Sequence, residues 1–282
     1  MAYSIDTEKY IGKLTSFCSR YGVKINLKNP KTIQDKIAWL NIYDTNPLKT
    51  KCADKILLRD YCKEILGEDL CVPILKIYNS SDEIDFNELP NQFVIKCNHG
   101  SGMNIIVKDK SKLNVNKTRQ QLDLWMKCDF AFRNGLEAHY HDIKHKIFIE
   151  EYKTDAEQSG SLFDYKFWCF NGEPKFYTIN EGHGHGPIIH YTMSQKKSSL
   201  ERTDYKVPAS LNYKQPLNFN EMVDLSKKLS KPFKFVRVDF YEINGRVYLG
   251  EMTFTPGACG FKYKNRNDDI RIGNLLDIHK NE

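Results

Sequence analysis

Arg237, Asp239, Glu251 and Thr253 stand in two short apolar runs on either side of Asn244-Gly245. Side chains alternate along a strand, so Arg237 and Asp239 share one face of the first run, and Glu251 and Thr253 share one face of the second. An Asn-Gly turn lays the two runs side by side as a hairpin. One guanidinium and two carboxylates then meet on one surface. Neighbouring carboxylates repel unless something cationic lies between them. A hard divalent ion, its shell completed by triphosphate oxygens, suits that arrangement. A solvated salt bridge is the plainer reading of a single Arg-x-Asp. The apolar flanks and the Thr255-Pro256-Gly257 that follows weigh against it.

Other groups could serve the same chemistry. Lys96 ends an apolar run at 92–96 and precedes His99-Gly100-Ser101-Gly102, after which a second apolar run covers 105–108. Glycines let backbone N–H groups approach anionic oxygens, so this segment can act as a flap over phosphates. It is not a P-loop, because no Gly-Lys-Ser/Thr follows; taken alone, a hairpin turn explains it. Glu150 and Glu151 close a run at 146–150 and lead into Tyr152 and Lys153. An adenine amino group, a ribose hydroxyl or a metal-bound phosphate would account for the two acids, although Glu151 also fits a strand end emerging into water. Asp164 and Lys166 share a strand face, as an ordinary local ion pair does. Glu181, His183, His185 and His190 surround a glycine-rich loop at 182–187. The histidines suit a transition metal, but the glycines favour a substrate loop over a metal site. For any single histidine a solvated loop is the plainer reading.

The elements that must position these groups follow from periodicity. Residues 1–70 read as mainly helical. Thr32 is a helix N-cap with Asp35 as capping-box partner, and 48–66 reads as one helix ended by Gly67. That helix carries Lys51, Lys55 and Arg59 at four-residue spacing, a stripe that matters only if it faces a phosphate site. Strands are expected at 72–78, 92–96, 105–108, 146–150, 163–170, 175–179 and in the 235–255 hairpin, with helices at 114–138 and 219–230. Helices first, then mainly antiparallel strands with interspersed helices, indicate an α+β fold. The division expected is a helical segment at 1–70 and a region at 71–282. Within the latter, 71–150 forms a first lobe, 151–260 a metal and catalytic lobe, and 261–282 a polar tail. In that tail only 270–278 offers apolar residues for docking.

The chain has 282 residues and a formal net charge of +6. That suits an anionic ligand and is too mild to argue for nucleic acid. No apolar window is long enough for an integral membrane segment, and the first residues lack the apolar stretch of a secretory signal. The eight cysteines are scattered without a Cys-x-x-Cys pair, which gives zinc little support and suggests free thiols in a cytoplasmic protein.

Taken in order, the lysine strand with its glycine flap, the acidic strand end and the Arg-x-Asp … Glu-x-x-x-x-Pro-Gly hairpin resemble the ATP-grasp superfamily. More closely, the chain resembles the TupA-like ATP-grasp family of bacterial surface-polysaccharide biosynthesis. The resemblance runs from about Pro30 to Gly260 through collinear signatures: Lys31-Thr-Ile-Gln-Asp-Lys-Ile-Ala-Trp39, Ala53-Asp-Lys55, Lys96–Gly102, Asp164-Tyr-Lys166, Phe170-Asn-Gly172 and the 235–257 hairpin. It implies a two-lobed fold whose antiparallel sheets sandwich ATP, and activation of a carboxylate as acyl phosphate before an amine attacks. By that analogy Lys96 would hold phosphates under the His99–Gly102 flap. Glu150 and Glu151 would lie near adenine, with the Tyr152–Lys153 backbone reading its edge, and Asp164 would contact ribose. Asp239 and Glu251 would bind Mg²⁺, with Thr253 as a third ligand. Arg237 would stabilise the acyl phosphate and the oxyanion that follows it, with Lys166 as a second catalytic candidate. His183, His185, His190, Thr255 and Gly257 would contact substrate. Many members have asparagine where this chain has Thr253, whose shorter reach leaves one metal or two open. The activity implied is an ATP-dependent carboxylate–amine ligase acting on an acidic sugar. A glycosyltransferase, a kinase on the same nucleotide site and a non-catalytic nucleotide-binding scaffold are the alternatives; the absence of Asp-x-Asp counts against the first. On this reading, Asp239→Asn abolishes turnover and leaves folding near normal.

Overall fold

The computed structural model describes residues 3–155, 162–181 and 186–279. His183 and His185 fall outside the described residues.

The chain opens with helices α1 (Ile11–Arg20), α2 (Ile33–Tyr43), α3 (Pro47–Ala53) and α4 (Leu57–Leu66). The capping box at α2 is formed. The Thr32 hydroxyl accepts from the Asp35 amide, and the Asp35 carboxylate accepts from the Thr32 amide at 3.0 Å. Gly67 ends α4 in the left-handed conformation, as expected. The single helix expected over 48–66 is two. Asp54 interrupts it, its Oδ1 accepting from the Ile56 amide at 2.8 Å and the Leu57 amide at 3.3 Å. A side chain that satisfies the opening amides of a helix restarts it at a new angle.

Strands β1 (Ile74–Tyr78), β2 (Phe93–Cys97), β3 (Asn104–Val107) and β4 (Ile147–Glu151) form an antiparallel sheet in the order β1-β4-β2-β3. Helix α5 (Val115–Met126) is shorter than the expected 114–138; two 3₁₀ turns carry the chain on to 140. Strands β5 (Phe163–Phe170), β6 (Glu173–Glu181), β7 (Ile189–Thr192), β8 (Phe235–Ile243) and β9 (Arg246–Thr253) form a second antiparallel sheet in the order β7-β6-β5-β8-β9. Helix α6 (Phe219–Ser230) precedes β8, and α7 (Arg266–Gly273) follows the sheet. The β5–β6 and β8–β9 turns place Asn171, Gly172, Asn244 and Gly245 at positive φ, the conformation that tight hairpin turns need. Among the described residues no helix is long and apolar enough to cross a membrane, and all eight cysteines are free.

The β8–β9 register explains how the polar pairs meet. A regular two-residue hairpin would set Asp239 opposite Gly250 and turn Glu251 to the other face. The pairing instead slips between Asp239 and Phe240, so that Phe240 opposes Leu249 and Asp239 opposes Glu251. Gly250 is the extra residue of this bulge, and it must be glycine: a Cβ there would lie 2.8 Å from the Tyr241 ring. Bulges commonly re-aim a side chain beside a functional site.

Two apolar cores result. One face of the five-stranded sheet, with Phe167, Tyr177, Val238 and Phe240, packs on α4 and α6 in a core that also runs beneath the four-stranded sheet. The opposite face is divided. One end, with Trp168, Phe170, Phe176 and Phe235, is covered by residues of α1, α2 and the C-terminal segment. Ile272, Leu276 and Ile278 are buried there, so the apolar part of 270–278 docks against the N-terminal helices. The other end of that face is polar and looks towards the four-stranded sheet.

Candidate active site

One row of side chains crosses the polar end of the large sheet. The strand pairings set His190 opposite Thr178, Thr178 opposite Lys166, Lys166 opposite Asp239 and Asp239 opposite Glu251. The next row pairs Trp168 with Arg237 and Arg237 with Thr253. Arg237, Asp239, Glu251 and Thr253 therefore share a face, as their spacing suggested.

The charges are tightly interlocked. Arg237 Nε donates to Asp239 Oδ1 at 2.7 Å, and Nη2 donates to Asp239 Oδ2 at 2.6 Å. Nη2 also reaches Thr253 Oγ1 at 3.1 Å and Glu251 Oε1 at 3.3 Å. Lys166 Nζ donates to Asp239 Oδ2 at 2.9 Å and lies 3.4 Å from Asp164 Oδ2. The Asp239 side chain is only 2 % exposed, whereas that of Glu251 is 30 % exposed. Burial pushes the Asp239 carboxyl up, and Arg237 and Lys166 pull it back. Burial would lower Lys166, but Asp239 and Asp164 outweigh it and hold the ammonium charged. Burial also works against ionised Glu251, yet Lys55, Lys166 and Arg237 bring its carboxyl down to about 2. Glu251 is thus a fixed anion at the edge of a cationic cluster.

Lys55 stands in the sequence both as one member of a basic stripe and in the Ala53-Asp-Lys55 signature. The structure dissolves that stripe: Lys51 pairs with Glu64 and Arg59 with Asp69. Lys55 sits at the break between α3 and α4, and its ammonium donates to the Gly100 carbonyl of the flap. Asp54 fixes the break to the flap as well, accepting from Asn98 Nδ2 at 2.9 Å. Gly100 admits no side chain, since a Cβ would meet the Phe130 ring at 2.5 Å. Ser101 and Gly102 are exposed, with Gly102 at φ +72, so the flap tip presents backbone to the cleft.

On the facing sheet Lys96 pairs with Glu150. Two contiguous cavities lie between the sheets, of about 270 Å³ and about 410 Å³, sharing Lys96, Asn104 and Tyr241. The first is a slot with apolar walls from Val72, Val94, Ile106 and Leu162, and with Glu150, Glu151, Tyr152 and Lys153 along its rim. The second contains Lys55, Ser101, Gly102, Lys166, Arg237 and Glu251. A flat apolar ring fits the first, and a polyanion fits the second.

Several expected contacts lie elsewhere. His99 is fully buried, stacked on His145 at 3.6 Å, with Nε2 3.0 Å from the Trp125 carbonyl. It braces the flap from behind and does not face the cleft. Thr255 is buried and donates to Glu137. Asp164, by contrast, lines the polyanion cavity beside Tyr241, which both cavities share. His190 and Gly257 do border the polyanion cavity. Residues that the sequence reading did not single out include Asn104, Tyr241, Thr178, Asn180 and Arg202; none stands in a distinctive motif.

Among the described residues no group of three or more His, Cys, Asp or Glu side chains is gathered to hold a metal ion. The donor set still fits Mg²⁺ brought in by a nucleotide, because such ions use one or two carboxylates and take phosphate oxygens for the rest. Glu251 is the carboxylate presented to the cleft. Asp239 lies beside it with three bonds from Arg237 and Lys166, and the Thr253 hydroxyl lies 3.3 Å from Glu251 Oε1.

Glu137 lies behind the Thr255-Pro256-Gly257 turn. Burial raises its carboxyl to about 7, against the bonds from Thr255 and Asn134. A folded pKa above the ordinary value of 4.5 means stability that is fully present below about pH 4.5 and is lost as pH rises through 7, by about 3 kcal/mol at most. Glu137→Gln is expected to remove this decline and to melt above the wild type at pH 8. Melting temperatures between pH 4.5 and 8 would show it; parallel curves for the two proteins would contradict it.

A family model described as TupA-like ATPgrasp matches residues 35–277. The match extends past the glycine at 260 through α7, consistent with the docking of that helix on α2. No curated protein matches the chain in sequence. Among solved structures, the D-alanine–D-alanine ligase from Bacillus anthracis complexed with ATP is 17 % identical, covering 82 % of this chain and 64 % of that chain at a TM-score of 0.41. The D-alanine–D-alanine ligase from Helicobacter pylori is 15 % identical, covering 86 % of this chain and 69 % of that one at a TM-score of 0.46. The L-amino acid ligase from Bacillus licheniformis is 15 % identical, covering 76 % and 43 % at a TM-score of 0.43. The chain spans less than two thirds of the first and third of these, and likenesses at such scores carry no weight for what it acts on.

Proposed function

The chain belongs to the TupA-like ATP-grasp family, and from that premise we propose that it is an ATP-dependent carboxylate–amine ligase. The observation that carries this reading is the row Lys166–Asp239–Glu251 with Arg237 beside it, facing the Lys96 sheet across contiguous cavities suited to a ring and a polyanion. ATP would place its base in the slot near Glu150, Glu151 and the 152–153 backbone. Its phosphates would run past Lys96 and Lys55 beneath the Ser101-Gly102 tip. Mg²⁺ held by Glu251, with Asp239 and Thr253 in reach, would neutralise charge on the transferred phosphoryl group.

The residues then act in order. Lys55 and Lys96 orient the polyphosphate. The substrate carboxylate attacks the γ-phosphorus, and ADP leaves. The amine attacks the acyl phosphate carbon, and Arg237 stabilises the oxyanion until phosphate departs. Lys166 holds Asp239 in place throughout. The family's setting makes an acidic sugar of a surface polysaccharide the first class of acid to try, with an amino acid or other amine as its partner.

The test is a matrix of uronic and other carboxylic acids against amines, scored for ADP release that needs both partners. With the active pair, ¹⁸O in the carboxylate is expected to appear in the released phosphate, since acyl phosphate formation carries one carboxylate oxygen there. ADP release with a phosphorylated product and no amide would make the protein a kinase. Turnover of a sugar nucleotide without ATP would make it a glycosyltransferase.

A further inference from the structure

The polyanion cavity is also lined by Trp168, His190 and Arg202, which the nucleotide and metal reading does not use. Trp168 and Arg202 both lie against the Phe261 ring, and His190 lies against Tyr263. Trp168 Nε1 and His190 Nδ1 are buried and have no hydrogen-bond partner among the described residues. Trp168 is 2 % exposed and His190 1 %. Buried polar atoms of native proteins are nearly always paired, and both of these unpaired atoms belong to residues that line this cavity.

Arg202 is held as a prepared anion receptor. Its guanidinium carbon lies 4.7 Å from the centre of the Phe261 ring and 5.3 Å from that of Tyr205. Nε donates to Asp204 Oδ1 at 2.9 Å, and Nη2 pairs with the other oxygen. The backbone beneath is pinned, Arg202 bridging to Tyr263 and the Thr203 amide donating to the Lys262 carbonyl at 3.0 Å. Stacking against two rings fixes the plane of the guanidinium and reduces the entropy lost when it binds an oxyanion, while Asp204 occupies Nε and Nη2. Among the described residues Nη1 makes no bond. Burial, helped by the charge of Arg202, lowers the His190 imidazole to about 3, so the histidine stays neutral. His190 Nε2 lies 3.3 Å from the Tyr263 hydroxyl.

We propose that Arg202, Trp168 and His190 form a subsite for a second oxyanion of the acid substrate, distinct from the carboxylate that is activated at Arg237. The substrate is then a molecule bearing two acidic groups. This rests on the ligase reading, which places the reacting carboxylate beside Arg237, opposite Trp168 in the sheet. An acidic sugar with a second carboxylate or a phosphate would meet the requirement.

The test titrates the full-length protein with straight-chain dicarboxylates from malonate to adipate and with the monocarboxylates of matching length, both with and without Mg-AMPPNP. At least one dicarboxylate is expected to bind about 30-fold tighter than its monocarboxylate, the range for a hydrogen bond to a charged group. Arg202→Gln is expected to erase the preference and Arg202→Lys to keep part of it. Asp204 competes for the guanidinium and is surface-exposed, so Asp204→Asn is expected to tighten dicarboxylate binding; this reads the subsite even if Arg202→Gln fails to fold. Equal binding of mono- and dicarboxylates overturns the proposal, as does a preference that survives Arg202→Gln or is unmoved by Asp204→Asn. Loss of AMPPNP binding alone would count against the ligase reading and not against the subsite.

Discussion

Lys55→Met is expected to lower kcat/KM for ATP by about 100-fold while the protein stays folded. Removing one preorganised donor to a developing charge commonly costs that much. Lys55 joins three parts of the site. Its position is set by Asp54 at the break between α3 and α4, its ammonium holds the Gly100 carbonyl, and its charge helps to keep Glu251 ionised. Burial holds the Lys55 ammonium below its ordinary value and Glu251 offsets only part of this, so the two charges depend on one another. Methionine keeps the length and the apolar stem but cannot donate. The flap then loses its anchor and the phosphates lose a cation. Steady-state kinetics and AMPPNP titration would measure it. A variant within threefold of wild type in both would show that Lys55 only braces the fold.

The second large effect separates two carboxylates that the sequence presented as equivalents. Asp239→Asn and Glu251→Gln are both expected to reduce turnover by about 1000-fold or more, because each removes a charge that the proposed Mg²⁺-phosphate cluster would need. Their effects on folding should differ. Asp239 lies beneath Arg237 and Lys166 at 2 % exposure. Its loss leaves Lys166 with only the longer carboxylate contact to Asp164 and Arg237 with only that to Glu251; breaking buried pairs costs about 3–5 kcal/mol, so the expectation that Asp239→Asn folds near normally does not survive the geometry. Glu251 borders the cleft, where water screens part of its interaction, and its loss should cost about 1–2 kcal/mol. Its contribution has a pH signature. A carboxyl at about 2 in the folded protein supplies stability above its ordinary 4.5 that is lost as pH falls towards 2. Urea unfolding of the two variants at pH 7 gives the comparison. Equal losses would mean that Asp239 is less committed to its cations than its bonds indicate.

Much of this arrangement was legible because it is local. Thr32 and Asp35 declare a capping box, Asn171-Gly172 and Asn244-Gly245 declare hairpin turns, and period-two alternation sets Arg237 with Asp239. What was not legible depends on tertiary register. Gly250 looks like any strand glycine, yet it is the bulge that turns Glu251 onto the face of Asp239. Asp54 breaks a helix by accepting amides within its own segment, a use of aspartate that periodicity does not reveal. His99 sits in a glycine-flanked motif that suggests ligand contact, but stacking on His145 and the Trp125 carbonyl draw it inward. Arg202 carries no motif at all; only the fold brings it to Trp168 and His190.

The proposed Mg²⁺-dependent ATP site lies between the two sheets, with Glu251 as its cleft-facing metal ligand. The most direct measurement is thermal unfolding with Mg-ATP, with ATP plus chelator, and with UDP-sugars, in wild type and Glu251→Gln. A ligand at about 100 times its Kd adds about 2.7 kcal/mol, a readily seen shift in Tm. A clear rise is expected with Mg-ATP in the wild type, a much smaller one with chelator, and no magnesium-dependent part in Glu251→Gln. A rise with UDP-sugars and none with Mg-ATP, or a magnesium-dependent rise unchanged in Glu251→Gln, would contradict it.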